Sequence, residues 1–158
     1  MVKRRGPETG DQWLHRAVRY LARFDRTAAQ VERFLTSKGA SSRQAKQVVK
    51  RLAALRYLDD RAYATRWIET TLARRPLGCE ALKDELLTRG IPEALADEVI
   101  GEALQDIDEE TLARRAVQIQ RRKGRLNQTA SFLRQRGFAE ETIGRIISDR
   151  MKTEERES

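Results

Sequence analysis

The chain has 158 residues, of which 35% are charged and 39% are apolar, and it carries a net charge of +8. This composition disfavours one thick core and favours thin layers of paired helices, and the absence of an apolar run of about 18 residues excludes a membrane-spanning helix. A single cysteine excludes an internal disulfide, and the first residues lack the apolar core of a signal peptide, so we expect a cytoplasmic protein.

Residues 1–10 are predicted to form a flexible basic tail. The first helix is expected from about Asp11 to Phe24, because apolar residues recur at helical spacing and form a buried stripe. That stripe consists of Leu14, Ala17, Val18, Leu21 and Phe24. Four arginines form a separate stripe, which is either a solvated face or a contact with a partner or phosphate: Arg16, Arg19, Arg23 and Arg26.

Two capping boxes predict the next two helices. Thr27 with Gln30 begins the second helix, which ends at Gly39, and Ser41 with Gln44 begins the third. The third helix is expected to bury Ala45, Val48, Val49 and Leu52 and to expose Arg43, Lys46, Lys50 and Arg51. Two helices joined by a short turn, the second of them basic, are also typical of a DNA-reading helix-turn-helix.

The middle of the chain, residues 58–106, is predicted to form three more helices. The first opens at Leu58-Asp59-Asp60, where we favour helix capping by one aspartate over metal or acid–base chemistry, because no histidine or further carboxylates accompany the pair. Its buried face is predicted to hold Tyr63, Ala64, Trp67, Ile68 and Leu72, and the chain breaks at 74–78. Pro92 is predicted at the first position of the last of these helices. That helix carries Glu93, Asp97, Glu98 and Glu102, which would repel phosphate.

The last part of the chain, residues 107–150, is predicted to begin with acids at a helix N-terminus, at Asp108. Its first helix is expected to bury Leu112, Ala116 and Ile119. A second basic stripe lies on the outer face of this helix and just beyond it: Arg114, Arg115, Arg121, Arg122, Lys123 and Arg125. The final helix is expected from Glu140 to about Arg150, and residues 151–158 are expected to form a charged, frayed tail.

One phrase recurs in all three parts, at 31–39, 82–90 and 129–137. Each copy has Leu four residues before a Gly and a basic residue directly before it, and the glycines Gly39, Gly90 and Gly137 stand 51 and 47 residues apart. Gly beyond a helix end adopts the left-handed conformation at low cost, so each phrase reads as a helix end. A period near 50 residues predicts an all-α fold of three tandem three-helix repeats, covering 11–57, 58–106 and 107–150.

Charge divides the chain into the same three parts. Residues 1–56 hold 14 Lys/Arg and 4 Asp/Glu, residues 57–106 hold 6 and 11, and residues 107–158 hold 12 and 9. The net charges are therefore +10, −5 and +3. Basic ends around an acidic middle indicate more than one kind of partner surface.

The residues argue against an enzyme. One histidine and one cysteine do not support a zinc cluster or a cysteine–histidine pair, and no glycine-rich phosphate loop is present. His15 is interpreted as a surface or boundary residue. Cys79 is interpreted as a small residue at a helix start, although a helix N-terminus could lower the pKa of its thiol. We expect no catalytic residue, metal or cofactor.

The order and spacing of these segments resemble the RecX family of cytoplasmic bacterial regulators of the RecA recombinase. The resemblance covers about 14–150 and rests on 18–27 with Leu35 to Gly39, on Leu58-Asp59-Asp60 with Tyr63-Ala64, and on Gly78, Glu85-Leu86 and 89–91. The family usually has Gly where Arg56 stands, an acid and then Arg where Arg61 and Ala62 stand, and often Pro where Cys79 stands. The resemblance implies an elongated, curved array of helix-turn-helix-like repeats.

Two functions follow as hypotheses. The resemblance implies a non-enzymatic, monomeric regulator that binds in the groove of the RecA filament on single-stranded DNA and modulates, typically by inhibition, the ATPase, strand-exchange and co-protease activities of RecA. Its basic stripes would then meet RecA or DNA with low sequence specificity, and its acidic middle would meet basic filament surface. The alternative is a helix-turn-helix protein that acts directly on DNA. The basic third helix is the observation that supports this alternative.

Overall fold

The computed structural model describes residues 9–123 and 128–158, and within them all regular structure is helical. This confirms the predicted all-α fold. In chain order the helices are α1 (Gly10–Arg23), α2 (Ala28–Ser37), α3 (Ser42–Ala54), α4 (Asp60–Arg74), α5 (Cys79–Thr88), α6 (Glu93–Asp106), α7 (Glu109–Arg122), α8 (Thr129–Gln135) and α9 (Glu140–Glu157). None of these helices is long and apolar enough to cross a membrane.

The helices fall into two compact units. Unit 1 comprises Met1–Tyr63 with Arg89–Ile91, and unit 2 comprises Ala64–Thr88 with Pro92–Ser158. The boundary between the units lies within α4. The turn between α5 and α6, Arg89–Ile91, belongs to unit 1, whereas both of these helices belong to unit 2. These units do not coincide with the three predicted repeats, whose boundaries remain a prediction.

The predicted helix starts are largely correct where the capping groups are neighbours in sequence. Thr27 and Ser41 each form a capping box with the residue three positions on, as predicted, and Asp108 accepts a hydrogen bond from the Thr111 N–H. The Thr9 N–H also donates to the Gln12 side chain, so α1 begins with a capping interaction that the sequence analysis did not include. Pro92 precedes the first residue of α6 and takes an extended ψ of 142°, so its prediction as a helical residue is wrong by one position.

The core of unit 1 is built around Trp13 rather than around Phe24. Trp13 packs with the buried residues of α1–α3 and with Leu58, whereas Phe24 is 50% exposed. The predicted burial of Phe24 is therefore wrong. The reason is that α1 ends at Arg23 and the backbone of Phe24 is extended (φ −141°, ψ 132°), which turns its side chain off the helical stripe.

Three glycines and one arginine adopt the left-handed conformation at helix ends. Gly39, Gly90 and Gly137 have φ values of +110°, +85° and +78°, which confirms the predicted helix-end role of the recurring phrase. Arg56, where the related family usually has Gly, has φ +62°. The turn after α3 thus keeps the left-handed geometry although its residue is not glycine.

Each unit contains one joint of the same kind, in which the N-terminus of an earlier helix is hydrogen-bonded to a later helix and contacts a later turn. In unit 1, Asp60 at the first position of α4 accepts from the Ala28 N–H at the start of α2 (2.9 Å), and the Thr27 hydroxyl donates to the Arg89 carbonyl (2.6 Å). A Cβ on Gly90 would collide with the Ala29 side chain.

In unit 2, Glu109 at the first position of α7 accepts from the Cys79 N–H at the start of α5 (3.0 Å), and the Gly78 N–H donates to the Arg136 carbonyl (2.9 Å). A Cβ on Gly137 would collide with Ala81. In both units a later helix and a later turn thus complete the N-terminus of an earlier helix.

The end of the chain differs from the prediction. The frayed tail expected at 151–158 is wrong, because α9 continues to Glu157. Lysine, arginine, methionine and glutamate are good helix formers and no Gly or Pro interrupts this stretch, so local propensity favours continuation. The Thr153 hydroxyl also donates to the Asp149 carbonyl one turn earlier.

Candidate functional site

The exposed side of α3 is a basic surface. Arg43, Lys46 and Lys50 are all exposed and follow each other at intervals of three and four residues, so they lie on one face of the helix. Together with Ser42 and Gln47 they line a shallow depression. We call Arg43, Lys46 and Lys50 the α3 basic face. It is formed because the opposite side of the helix buries Ala45, Val48 and Leu52.

Arg51, the fourth predicted member of this face, has a different environment. Its guanidinium lies 3.2 Å from the Asp11 carboxylate of α1. Both side chains are largely exposed, so the ion pair adds little stability, but it partly neutralises the positive charge at this end of α3. The α3 basic face therefore consists mainly of its first three members.

The turn between α2 and α3 has the form of a helix-turn-helix. Four residues, 38–41, connect the two helices, with Gly39 in the left-handed conformation and Ala40 buried. This is the connection expected of helix pairs that place their second helix on a partner. The basic surface thus lies on the helix that would be presented.

The predicted arginine stripe of α1 divides into two pairs. Arg19 and Arg23 are exposed on the helix, whereas Arg16 stacks over the Trp13 ring at 5.3 Å. Arg26 lies beyond the end of α1, so its prediction as part of a helical stripe is wrong, and its guanidinium stacks over Phe24 and Tyr20. Only Arg19 and Arg23 of this set point outward from α1 as a pair one turn apart.

Two residues of the second basic stripe, Arg114 and Arg115, have partners within unit 2. Arg114 forms ion pairs with Glu110 and Asp149, and Arg115 donates to the carbonyls of Leu72 and Ala73, both at 3.2 Å. The positive charges of these two arginines are therefore engaged by groups of the same unit. Arg121, Arg122 and Lys123 are exposed at the end of α7, and Arg125 lies outside the described residues.

An acidic groove opens in unit 2 between α4, the second half of α6 and Arg115 in the middle of α7. It has a volume of about 440 Å³ and an apolar floor that includes Ile68, Leu72 and Val99. Its rim carries Glu69, Glu102 and Asp106, and Ile107 at its edge is 42% exposed. The sequence analysis identified the acidic character of α6, but the apolar floor is formed by residues distant in sequence.

The acidic face of α6 is also partly paired within unit 2. Lys83 of α5 lies 2.9 Å from Glu93 and 3.0 Å from Asp97, and these partners raise the pKa of the lysine. The part of α6 that borders the acidic groove lies further along the helix, at Glu102 and Asp106. The two ends of the helix thus have different charge environments.

The paired aspartates cap helices, as predicted, but each caps a different one. Asp59 accepts from the Ala62 N–H of its own helix α4, and Asp60 accepts from Ala28 of α2. Leu58 beside them is buried and Tyr63 is half-buried. Among residues 9–123 and 128–158, no three potential metal ligands form a group.

The two residues considered for catalysis lie in different surroundings. His15 is exposed, which confirms its assignment to the surface. Burial and the neighbouring Glu109 carboxylate raise the pKa of the Cys79 thiol to about 11. The alternative of a lowered pKa is therefore wrong, because the effects of burial and a negative neighbour exceed that of the helix N-terminus.

The described residues define an all-α protein with a helix-turn-helix pair that presents a basic helix, and with an acidic groove in its second unit. A family model described as RecX, second three-helix domain, matches residues 59–100. The chain is 32% identical over 140 residues to the regulatory protein RecX of Trichlorobacter lovleyi, covering 83% of this chain and 90% of that one. It is also 32% identical over 133 residues to RecX of Treponema pallidum, covering 84% and 81%.

Solved structures show the same fold. The crystal structure of RecX from Lactobacillus salivarius superposes with a TM-score of 0.73 at 21% identity, covering 89% of this chain and 95% of that one. A second crystal structure, of a regulatory protein RecX, gives a TM-score of 0.75 at 20% identity, covering 88% and 73%. The chain belongs to the RecX family, whose relatives here are named regulatory proteins.

Proposed function

We propose that this protein is a non-enzymatic regulator that binds the RecA filament on single-stranded DNA and lowers its ATPase, strand-exchange and co-protease activities. Membership of the RecX family over most of the chain carries the proposal. The setting is the bacterial cytoplasm, during recombination and the response to DNA damage. The protein acts as a monomer without a cofactor.

The charged surfaces supply the contacts in this proposal. The α3 basic face, with Arg19 and Arg23, meets DNA phosphate or acidic recombinase surface, and the acidic groove meets basic filament surface. A ligand that prefers one filament state shifts the equilibrium by its difference in affinity for the two states. The regulator therefore changes RecA activity by bridging neighbouring subunits and biasing assembly or disassembly.

The first test is the DNA-dependent ATPase of the cognate RecA. The protein is titrated from well below the amount of RecA while single-stranded DNA is in excess. Loss of ATPase activity under these conditions supports filament modulation, since coating of the DNA would require far more protein. Unchanged ATPase together with no cosedimentation with the filament overturns the proposal.

A charge-neutralised variant tests the α3 basic face. We expect Arg43→Gln with Lys46→Gln and Lys50→Gln to weaken filament binding roughly tenfold or more and to flatten its salt dependence. The matched control neutralises three exposed cations elsewhere, Arg74, Lys152 and Arg156, and changes the net charge equally. Equal losses in both variants would show that net charge, rather than this face, is responsible.

A second candidate is direct DNA binding of the helix-turn-helix type. The exposed basic side of α3 behind a four-residue turn favours it. A sequence-specific reader prefers its site over random duplex by orders of magnitude. Competition with random duplex separates the candidates, because steep salt dependence without sequence preference leaves DNA binding as an accessory property of the filament regulator.

A further inference from the structure

Three aromatic rings of unit 1 form a continuous platform at the end of α1. Tyr20 of α1 stacks on Phe34 of α2, with ring centroids 4.0 Å apart and planes 9° apart. Tyr20 also contacts Phe24, at 6.2 Å and 58°. Phe24 is half exposed. We call Tyr20, Phe24 and Phe34 the aromatic platform.

Cations lie on this platform. The Arg26 guanidinium is 4.9 Å from the centroid of Phe24 and 5.6 Å from that of Tyr20, and the Lys38 ammonium is 5.8 Å from that of Phe34. Exposed Arg23 directly precedes Phe24, and exposed Arg19 lies one turn before Arg23. Apolar ring surface and positive charge therefore lie next to each other here, although the exposed acid Asp25 stands between Phe24 and Arg26 in the sequence.

Packing explains only part of this arrangement. Tyr20 and Phe34 are half-buried and pack against the core of unit 1, so their stacking stabilises the corner between α1 and α2. Phe24 is extended beyond the helix end, and Arg26 covers it on one side while half of its surface faces solvent. The guanidinium thus holds the ring in place without burying it.

We infer that the aromatic platform is a stacking site for a base of single-stranded nucleic acid, with Phe24 as the stacking ring and Arg19 and Arg23 as phosphate contacts. Aromatic rings beside a cationic track bind single strands without sequence preference, because every base has a stacking face. Bases of a duplex are already stacked on each other and are not available to the ring. The inference rests on the proposed function, since it names how the regulator contacts the DNA strand.

The test is the binding of the full chain to fluorescently labelled oligo(dT), measured by anisotropy over a series of salt concentrations. We expect Phe24→Leu, which keeps apolar volume but removes the flat ring, to weaken binding about 5- to 150-fold. The salt slope should stay unchanged, because phenylalanine carries no charge. Phe24→Tyr, which keeps an aromatic ring, should bind oligo(dT) as the wild type does. Tyr57→Ala is the matched control, since Tyr57 is a 58% exposed aromatic residue of the same unit outside the platform.

A second readout reports stacking directly. Phe24→Trp should bind as the wild type does, and its added fluorescence should be quenched by oligo(dT), with the wild-type signal from Trp13 and Trp67 subtracted. Wild-type affinity in Phe24→Leu, an equal loss in Tyr57→Ala, or no quenching in Phe24→Trp overturns the inference. So does a wild-type chain that does not bind oligo(dT). Inhibition of the RecA ATPase is scored separately, so the proposed function can hold while the stacking site fails.

Discussion

Gly90 and Gly137 have two separate requirements for glycine. Each has a positive φ, and each lies so close to a neighbouring helix start that a Cβ would collide with it. Gly39 has only the first requirement, because a Cβ there would lie 4.0 Å from the Trp13 ring, at ordinary contact distance. The three copies of the recurring phrase therefore differ in how strictly they require glycine, which the sequence alone does not show.

Gly137→Ala should be more destabilising than Gly39→Ala. We expect Gly39→Ala to lower the free energy of unfolding by about 1–2 kcal/mol, the cost of a left-handed L-residue. Gly137→Ala adds overpacking against the Ala81 backbone, so we expect a loss of about 2–5 kcal/mol. Urea unfolding followed by circular dichroism measures both. Equal losses would mean that the turn conformation alone requires glycine at Gly137.

Arg56 is a residue in a conformation that favours glycine. We expect Arg56→Gly to raise the free energy of unfolding by about 0.5–1 kcal/mol, since relief of the left-handed strain exceeds the added freedom of the unfolded chain. Arg56→Ala is the control, because it removes the charge but keeps the Cβ. A stabilisation of the alanine variant as large as that of the glycine variant would assign the effect to charge.

At the scale of helices, the starts depend on both near and distant residues. The boxes at Thr27 and Ser41 could be predicted because their donor and acceptor are three residues apart. Asp60 and Glu109 could not be assigned to their partners, since they cap helices about 30 residues earlier in the chain. The exposure of Phe24 likewise depends on where α1 ends, which periodicity locates only to within a residue or two.

Glu109 should be the more important of two adjacent glutamates. It accepts from the Cys79 N–H, from the Ala139 N–H (3.4 Å) and from the Thr142 hydroxyl (2.7 Å), and so joins the starts of three helices. We expect Glu109→Ala to cost about 2–4 kcal/mol of unfolding free energy, because partly buried donors lose a charged acceptor. Glu110→Ala should cost less than about 1 kcal/mol, since its partners Arg114 and Arg145 are largely exposed. Thermal unfolding of both variants compares them, and similar losses would contradict this role of Glu109.

Over the whole molecule, the distribution of charge along the sequence predicted that basic and acidic surfaces exist. It predicted less well which residues form them. The α3 basic face contains three of its four predicted residues as an exposed group, whereas Arg114 and Arg115 of the second stripe have partners within unit 2. Counting charges cannot distinguish these cases, because pairing depends on residues such as Asp149 and Leu72 that are distant in sequence.

The acidic groove should affect filament binding and free-DNA binding differently. We expect Glu69→Gln with Glu102→Gln and Asp106→Asn to weaken cosedimentation with the RecA filament about 3- to 30-fold, as rim charges contribute up to about 1 kcal/mol each. The affinity for free oligo(dT) should stay equal or rise slightly, because negative charge is removed. Neutralising Glu154, Glu155 and Glu157 is the charge-matched control. An unchanged filament affinity in the groove variant would remove the groove from the interface.

The hydrogen bonds that complete the start of α2 also have a consequence for folding during synthesis. The start of α2 is completed by groups 32 and 62 residues further along, so it is synthesised well before its partners. At about 5–20 residues per second, the nascent chain carries this helix for roughly 3–12 s before the Arg89 carbonyl has been added. The N-terminus of α2 is therefore among the last parts of unit 1 to obtain its hydrogen-bond partners, and the speed of translation sets how long it lacks them.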